Sequence, residues 1–368
     1  MASTVQNEYV PDVVSPPGET LQDILDERGI SQADLAERTG RTKKTINEIV
    51  KGKAPITPET ALQLEKVLSV PATFWNNREM GYRAYLARKA EDDRLKQEVG
   101  WIREVPYLEM VRKGWVTGSP DKLECVRALL SFFAVASRDQ WQEVAIRPQA
   151  NFRRSKKHAS DPGALSAWLR RGEIEASQLD CNAYNRQAFF ESLEEAKRLT
   201  LESPDVFVPA LQSLCARCGV AVVFVPELRK LRVWGSTRWL SSTRALIQLS
   251  LRYKTDDRLW FTFFHEAAHI LLHNKRDVFV ESDRTENEEE RAADRFAANH
   301  LIPPSDFQRL RQRGAYSEGF VREFAEQLGI AAGIVVGRLQ HDQLLPFTHL
   351  NGLKRRFRWV ESEEEGGK

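Results

Sequence analysis

The sequence predicts an α+β chain: an all-α head of short helices, followed by a mostly helical region that carries a small β-sheet. Three observations predict it. Short apolar runs at helical spacing, each with its own start and stop residue, fill residues 19–89. Three β-rich runs cluster between Val220 and Arg252. A strongly apolar helical stretch with two histidines and a carboxylate follows them, from Asp257 onward. The length of 368 residues leaves room for two or three domains. The expected division is a flexible arm over 1–18, a head over 19–89, a helical middle over 90–200, a chemistry-bearing domain over 201–350, and a basic then acidic tail over 351–368.

The head is read element by element. Leu21, Ile24 and Leu25 sit on one helical face, and Gly29 ends that helix. Ser31 with Asp34 three residues on forms a capping-box start for a second helix. Thr39-Gly40 is a turn. Thr42 caps a third helix whose inward face is Ile46, Ile49 and Val50. Thr57-Pro58-Glu59 supplies a cap, a proline at the first helical position and an acid at the positive dipole end of a fourth. Val105-Pro106 and Ser119-Pro120 then interrupt a largely helical middle, in which Ala164–Leu169 and Ala188–Leu199 are amphipathic. Val220–Val225 reads as a buried strand, and Val233–Leu240 and Ala245–Arg252 as two more. Helical pattern dominates from Asp257 to Gln340, and Asp256 or Asp257 is positioned to cap its first helix.

Charge excludes some functions and localises others. Lys+Arg 54 against Asp+Glu 52 leaves a net charge of +2, which excludes a globally basic nucleic-acid coat protein. The average hides a basic segment. From Arg38 to Lys53 there are six basic residues and one acid. With Ile46, Ile49 and Val50 turned inward, Lys43, Lys44, Asn47 and Lys51 face outward. The Gln32–Arg38 helix, the turn through Arg41 and Thr42, and the Lys43–Lys51 helix match a helix-turn-helix, in which the second helix enters the major groove. Phosphate contacts by Arg41, Thr42, Lys43 and Lys51 would make binding salt-dependent, while Asn47 suits adenine and Lys44 guanine. A second basic stretch, Arg153–Lys157, is a further nucleic-acid candidate. No run of 18 apolar residues spans a membrane, no secretory signal opens the chain, and four sparse cysteines suit the reducing cytoplasm. Cys215-Ala-Arg-Cys218 lacks the second pair a zinc ribbon needs and reads as packing.

The chemistry is concentrated in His265-Glu266-Ala267-Ala268-His269. Residues four apart share a helix face, so both imidazoles can reach one tetrahedral zinc, with Glu266 beside the first as general base. A third protein ligand is needed. Glu290, 21 residues after His269, and Asp294 lie four apart on a downstream helix whose alanines permit close approach. Glu290 is the candidate ligand, and Asp294 the acceptor that orients a ligand histidine. Glu286, Glu288 and Glu289 read as a solvated helix start. His273 ends the helix and bonds locally, because a catalytic zinc keeps one position open. Donors for a developing oxyanion are His341, Arg338 and Tyr316, and the sequence does not choose among them. The run Ala245–Ser250 is a candidate for pairing with an extended substrate backbone.

These motifs resemble two families. HEAAHILLH followed by EERAADRFAANHLIPP, with the later Phe324–His341 segment, resembles the ImmA/IrrE zinc metallopeptidases. The resemblance implies a zincin-like fold, zinc on His265, His269 and Glu290, catalysis by Glu266, and cleavage of a helix-turn-helix repressor protein. Ala268 stands where that family usually has glycine. The segment from residue 17 to about 80 resembles the XRE-type helix-turn-helix of HigA-like antitoxins, which implies operator binding as a homodimer and a toxin partner. Together they imply a zinc endopeptidase with a DNA-binding head in a stress, phage or toxin–antitoxin circuit. The rival is a non-proteolytic regulator whose peptidase-like domain is a sensor or partner surface. A third reading has damage-related DNA switching the peptidase on.

Overall fold

The computed structural model describes residues 14–147, 160–273, 279–282 and 288–360. The chain forms two compact units, Met1–Val99 and Gly100–Lys368. The Arg153–Lys157 stretch, Glu286 and the acidic residues 361–368 lie outside the described residues.

Among the described residues, the first unit has five helices: α1 (Pro17–Arg28), α2 (Gln32–Thr39), α3 (Lys43–Val50), α4 (Pro58–Leu68) and α5 (Ala72–Glu98). Ser31 and Asp34 close a reciprocal capping box, and Thr42 and Thr57 each accept a backbone N–H three residues on. Gly29 and Gly40 end α1 and α2 in the left-handed region, at φ of 65° and 66°. Leu21, Leu25, Leu35, Ile46, Leu64 and Trp75 form the core. Two expectations are corrected. The expected arm through residue 18 is too long, because α1 starts at Pro17 and Gly18 is buried against the end of α3. The expected boundary at residue 89 falls inside a single 27-residue helix, α5, with no proline or capping residue to break it there.

The second unit contains α6 (Tyr107–Arg112), α7 (Lys122–Phe133), α8 (Arg138–Trp141), α9 (Pro162–Ser177), α10 (Arg186–Arg198) and α11 (Pro204–Ala216). Next come β1 (Val220–Phe224), β2 (Val233–Ser241) and β3 (Arg244–Leu249), then α12 (Asp256–Leu272), β4 (Phe279–Ser282) and α13 (Glu288–Leu301). The last helices are α14 (Pro304–Arg313), α15 (Glu318–Leu328) and α16 (Ala332–His341). The strands form one sheet in the order β1-β3-β2-β4. β1 pairs parallel with β3, and β2 is antiparallel to both β3 and β4. Among the described residues, no helix is long and apolar enough to cross a membrane.

The sheet is covered on both faces. On one, Thr237 of β2 donates to the backbone carbonyl of Glu266 on α12, at 3.0 Å. On the other, Gln248 of β3 donates to the carbonyl of Trp168 on α9, at 2.6 Å. Residues 90–200 are therefore not a free-standing region, since α9 roofs the back of the sheet. Arg238 is buried there, beside Glu173 at 3.5 Å. Burial lowers its pKa to about 10 despite that carboxylate.

Three further expectations change. β3 is central and spends both edges on β1 and β2, so Ala245–Ser250 cannot pair with a substrate strand. A fourth strand, β4, interrupts the helical pattern expected after Asp257. The aspartates do not cap α12, because Thr255 holds the N-cap position. Asp256 and Asp257 are buried in the first turn, where Lys354 bonds Asp257 at 2.7 Å and Arg355 reaches Asp256 at 3.4 Å. Close approach by α16 completes this arrangement. A Cβ on Gly333 would meet Asp256 Oδ1 at 2.4 Å, and one on Gly337 would meet Asp257 Oδ2 at 2.6 Å. The expected tail over 351–368 is thus built into the fold as far as Phe357, whose N–H bonds the Lys254 carbonyl at 2.7 Å.

Candidate metal centre

Helix α12 is almost entirely buried, because Trp260, Phe263, Phe264, Ala267 and Ala268 all pack inward. Its spacing puts His265 and His269 on consecutive turns of one face. Helix α13 crosses it through Ala293 and Ala297, both fully buried, and so brings Glu290 and Asp294 alongside. His265 Nε2 lies 3.0 Å from Glu290 Oε2 and 3.0 Å from His269 Nε2, and the third edge, His269 Nε2 to Glu290 Oε2, is 3.7 Å. Two imidazoles and a carboxylate bound to one tetrahedral zinc at about 2.0–2.1 Å would stand roughly 3.3 Å apart. The donor set fits that ion in type and in spacing.

The far ring nitrogens are also held. His265 Nδ1 lies 2.9 Å from Asp294 Oδ1, and His269 Nδ1 lies 2.8 Å from His273 Nδ1. With a metal bound, a proton on each Nδ1 would leave both Nε2 lone pairs free for it, whereas in the metal-free site Nε2 can donate to Glu290. Burial opposes ionisation of Glu290, but hydrogen bonds from His265 and His269 outweigh it and hold its carboxyl down at about 2. Burial depresses His269 below its ordinary value, against the pull of Glu290. His265, Glu266 and His269 are 2%, 0% and 2% exposed. Glu290, with 15% of its side chain exposed, is the member nearest solvent.

Sequence reasoning missed Gly235. A Cβ there would stand 2.6 Å from Glu266 Oε1 and 2.7 Å from Thr262 Cγ2. The glycine on β2 makes the room in which the Glu266 carboxyl sits. The oxyanion candidates are placed unequally. Arg338 and His341 line a cavity together with Asp294, while Tyr316 packs against the core elsewhere. Arg338 is engaged by Asp342 and lies 4.1 Å from the centre of the Phe307 ring. None of His265, Glu266, His269 and Glu290 lines that cavity. Of the cysteines, Cys215 and Cys218 are buried free thiols, and burial raises the Cys215 thiol well above its ordinary pKa.

Residues 226–340 match the IrrE N-terminal-like domain family, and residues 21–75 match a helix-turn-helix family. The first unit is similar to an HTH-type transcriptional regulator, YddM, of Escherichia coli strain K12, with 31% identity over 84 residues, 23% of this chain and 89% of that protein. The chain belongs to the XRE-type helix-turn-helix proteins and carries an IrrE-like peptidase domain. Two solved structures similar to its head are the antitoxin HigA of Pseudomonas aeruginosa with its higBA promoter, and an addiction module antidote protein of a HigA family from Coxiella burnetii. Their identities are 30% and 27%, each covers 23% of this chain and 95% and 94% of its own, and the TM-scores are 0.22 and 0.21.

On the XRE-type head, Lys43, Lys44 and Lys51 are exposed and Thr42 is the exposed cap of α3. Asn47 is half-buried and donates to Gln32 Oε1 at 3.2 Å, and Arg41 Nε donates to Gln63 Oε1 at 2.8 Å. These two side chains are therefore braced against α2 and α4. In the IrrE-like domain, Ala268, in the place of the usual glycine, is fully buried.

Proposed function

We propose that the second unit is a zinc-dependent endopeptidase, that the first binds operator DNA, and that the chain is a regulator cleaving a repressor-type protein. The convergence of His265 Nε2, His269 Nε2 and Glu290 Oε2, within 3.7 Å of one another, carries the peptidase half. These three side chains would hold zinc, which when bound supplies Lewis-acid polarisation and a nucleophilic water at neutral pH. Asp294 and His273 keep the ligand histidines in the tautomer that offers Nε2. Glu266, in the space left by Gly235, takes the proton of the attacking water and returns it to the departing amine. The test is zinc content and repressor cleavage in the wild type, Glu266→Gln and His265→Ala. The reading expects one zinc per chain with cleavage abolished in Glu266→Gln, and both lost in His265→Ala. A wild type that takes up no zinc ends it.

The regulator half rests on the exposed lysines of α3 and on the likeness to a transcriptional regulator. Arg41, Thr42, Lys43, Lys44, Asn47 and Lys51 are the proposed contacts. Loss of phosphate contacts in Lys43→Ala and Lys51→Ala should weaken binding and flatten its salt dependence. Binding as a homodimer, with a toxin as a further partner, belongs to this reading. One observation favours a second reading, in which the peptidase fold is a partner-binding surface without proteolysis. Glu266 is wholly enclosed, as are both histidines. Under that reading Glu266→Gln keeps the cellular phenotype and Lys44→Ala removes it.

A further inference from the structure

Beside the candidate metal centre, helices α12, α13 and α16 line a partly open cavity of about 200 Å³. Its walls are apolar: Phe261, Ala298, Leu301, Ile302 and Ile334. An apolar cavity of about 150 Å³ is enough to take up benzene, so this one has room for an aryl ring with a short alkyl arm. The charged groups around it are not equivalent. Asp257 is bonded by Lys354 at 2.7 Å, Asp294 by His265 at 2.9 Å, and Asp342 by Arg338. Asp257, Asp342 and the Arg338 guanidinium are thus each paired with an opposite charge, while Asp294 is held by the His265 imidazole and leaves one carboxylate against Arg258 and Arg295. Arg258 is exposed and lies over Trp234 and Tyr253, at 5.5 and 5.4 Å from the ring centres. Arg295 is exposed and has no carboxylate partner among the described residues. The cavity therefore pairs an apolar interior with a surplus of positive charge at its mouth.

We infer that this cavity binds a small amphipathic carboxylate, with its apolar body between α12, α13 and α16 and its charge against Arg295 and Arg258. The fit is one of charge and size: one anion for the guanidinium that has no carboxylate partner among the described residues, and about ten carbons for the volume. Asp294 gives the site a consequence. It lines the cavity and also accepts the hydrogen bond of His265 Nδ1. A ligand there touches the residue that orients a proposed metal ligand, so ligand and metal affinities are coupled, each altering the other by the same factor. That coupling rests on the zinc reading. The binding does not, and can be measured alone.

The probe is 4-phenylbutyrate, with its neutral amide as control, titrated into the full chain by calorimetry. Saturable binding of the acid and about tenfold weaker binding of the amide are expected, as for loss of a charge-assisted hydrogen bond. Ala298→Phe should fill the cavity and abolish binding, and Arg295→Gln should reduce it by about tenfold. Arg295 is exposed, so its variant keeps the test decisive if Ala298→Phe fails to fold. Binding undiminished by Arg295→Gln, full binding in a folded Ala298→Phe, or equal binding of acid and amide overturns the inference. A cleavage assay separates a free ligand from a substrate side chain. If 4-phenylbutyrate only raises KM for a protein substrate, the cavity belongs to the substrate groove and the inference fails. If metal affinity, measured against a chelator, shifts with the probe while binding also occurs without metal, the coupling through Asp294 stands.

Discussion

Gly235 on β2 and Glu266 on α12 are so close that a methyl group on the glycine would lie 2.6 Å from the carboxyl oxygen of the glutamate. Contacts that short force something to move, and both residues are buried in a close-packed layer. Gly235→Ala should therefore displace the Glu266 carboxyl while leaving His265, His269 and Glu290 in place. The expected result is metal retained at one ion per chain with kcat lower on the order of a hundredfold, as for a misplaced catalytic group. Metal content and single-turnover cleavage check it, and an unchanged kcat would show that the site tolerates the methyl.

Asp294 holds His265 by its far ring nitrogen, at 2.9 Å. Asp294→Ala removes that acceptor without touching the three converging donors. Removing such a partner weakens metal affinity by about 10–100-fold. Competition with a chromogenic chelator measures the change. Asp294→Asn should fall between the wild type and the alanine variant, since an amide oxygen still accepts the bond.

Acid should weaken the metal-free protein through His269. Burial lowers its pKa below the ordinary 6.5, so the unfolded chain takes up a proton that the folded one resists. The associated stability is present above about pH 6.5 and is lost as the pH falls below it. Melting of the chelated protein should therefore occur at lower temperature at pH 5.5 than at pH 7.5. His269→Gln should shrink that difference, and a slope unaltered by the substitution would remove His269 as its source.

In the helix-turn-helix unit, a Cβ on Gly18 would stand 2.1 Å from the Ile49 carbonyl oxygen and 2.4 Å from that of Val50. Gly18→Ala should force α1 away from the end of α3 and destabilise the unit by about 1–3 kcal/mol, the usual range for overpacking. Chemical denaturation of the full chain, followed by a probe on α3, reads this directly.

What the sequence made legible was local. Ser31, Thr42 and Thr57 announce helix starts because a cap acts on backbone groups two or three residues away. His265, Glu266 and His269 announce themselves because four residues make about one helical turn. Glu290 and Asp294 were readable by the same spacing on a second helix. What escaped depends on contacts distant in sequence. A glycine inside a strand carries no periodic signal, so Gly235 gains meaning only when α12 is laid across β2. The central position of β3 and the roof formed by α9 are likewise consequences of pairing order. Lys354 and Arg355 fall in the basic tail expected from residue 351, yet they point inward at Asp257 and Asp256.

That inward pair limits how the peptidase unit can be moved or shortened. The likeness to the IrrE-like family ends at residue 340, ahead of both basic side chains. The two aspartates they neutralise occupy the first turn of the helix that carries His265 and His269. Burying a charge without its counter-charge costs several kcal/mol, which is a large part of a domain's stability. A graft of residues 226–340 into another protein would leave that cost in place at the root of α12. The smallest portable version of this chemistry extends through Phe357, and its boundary is drawn by charge neutralisation rather than by similarity.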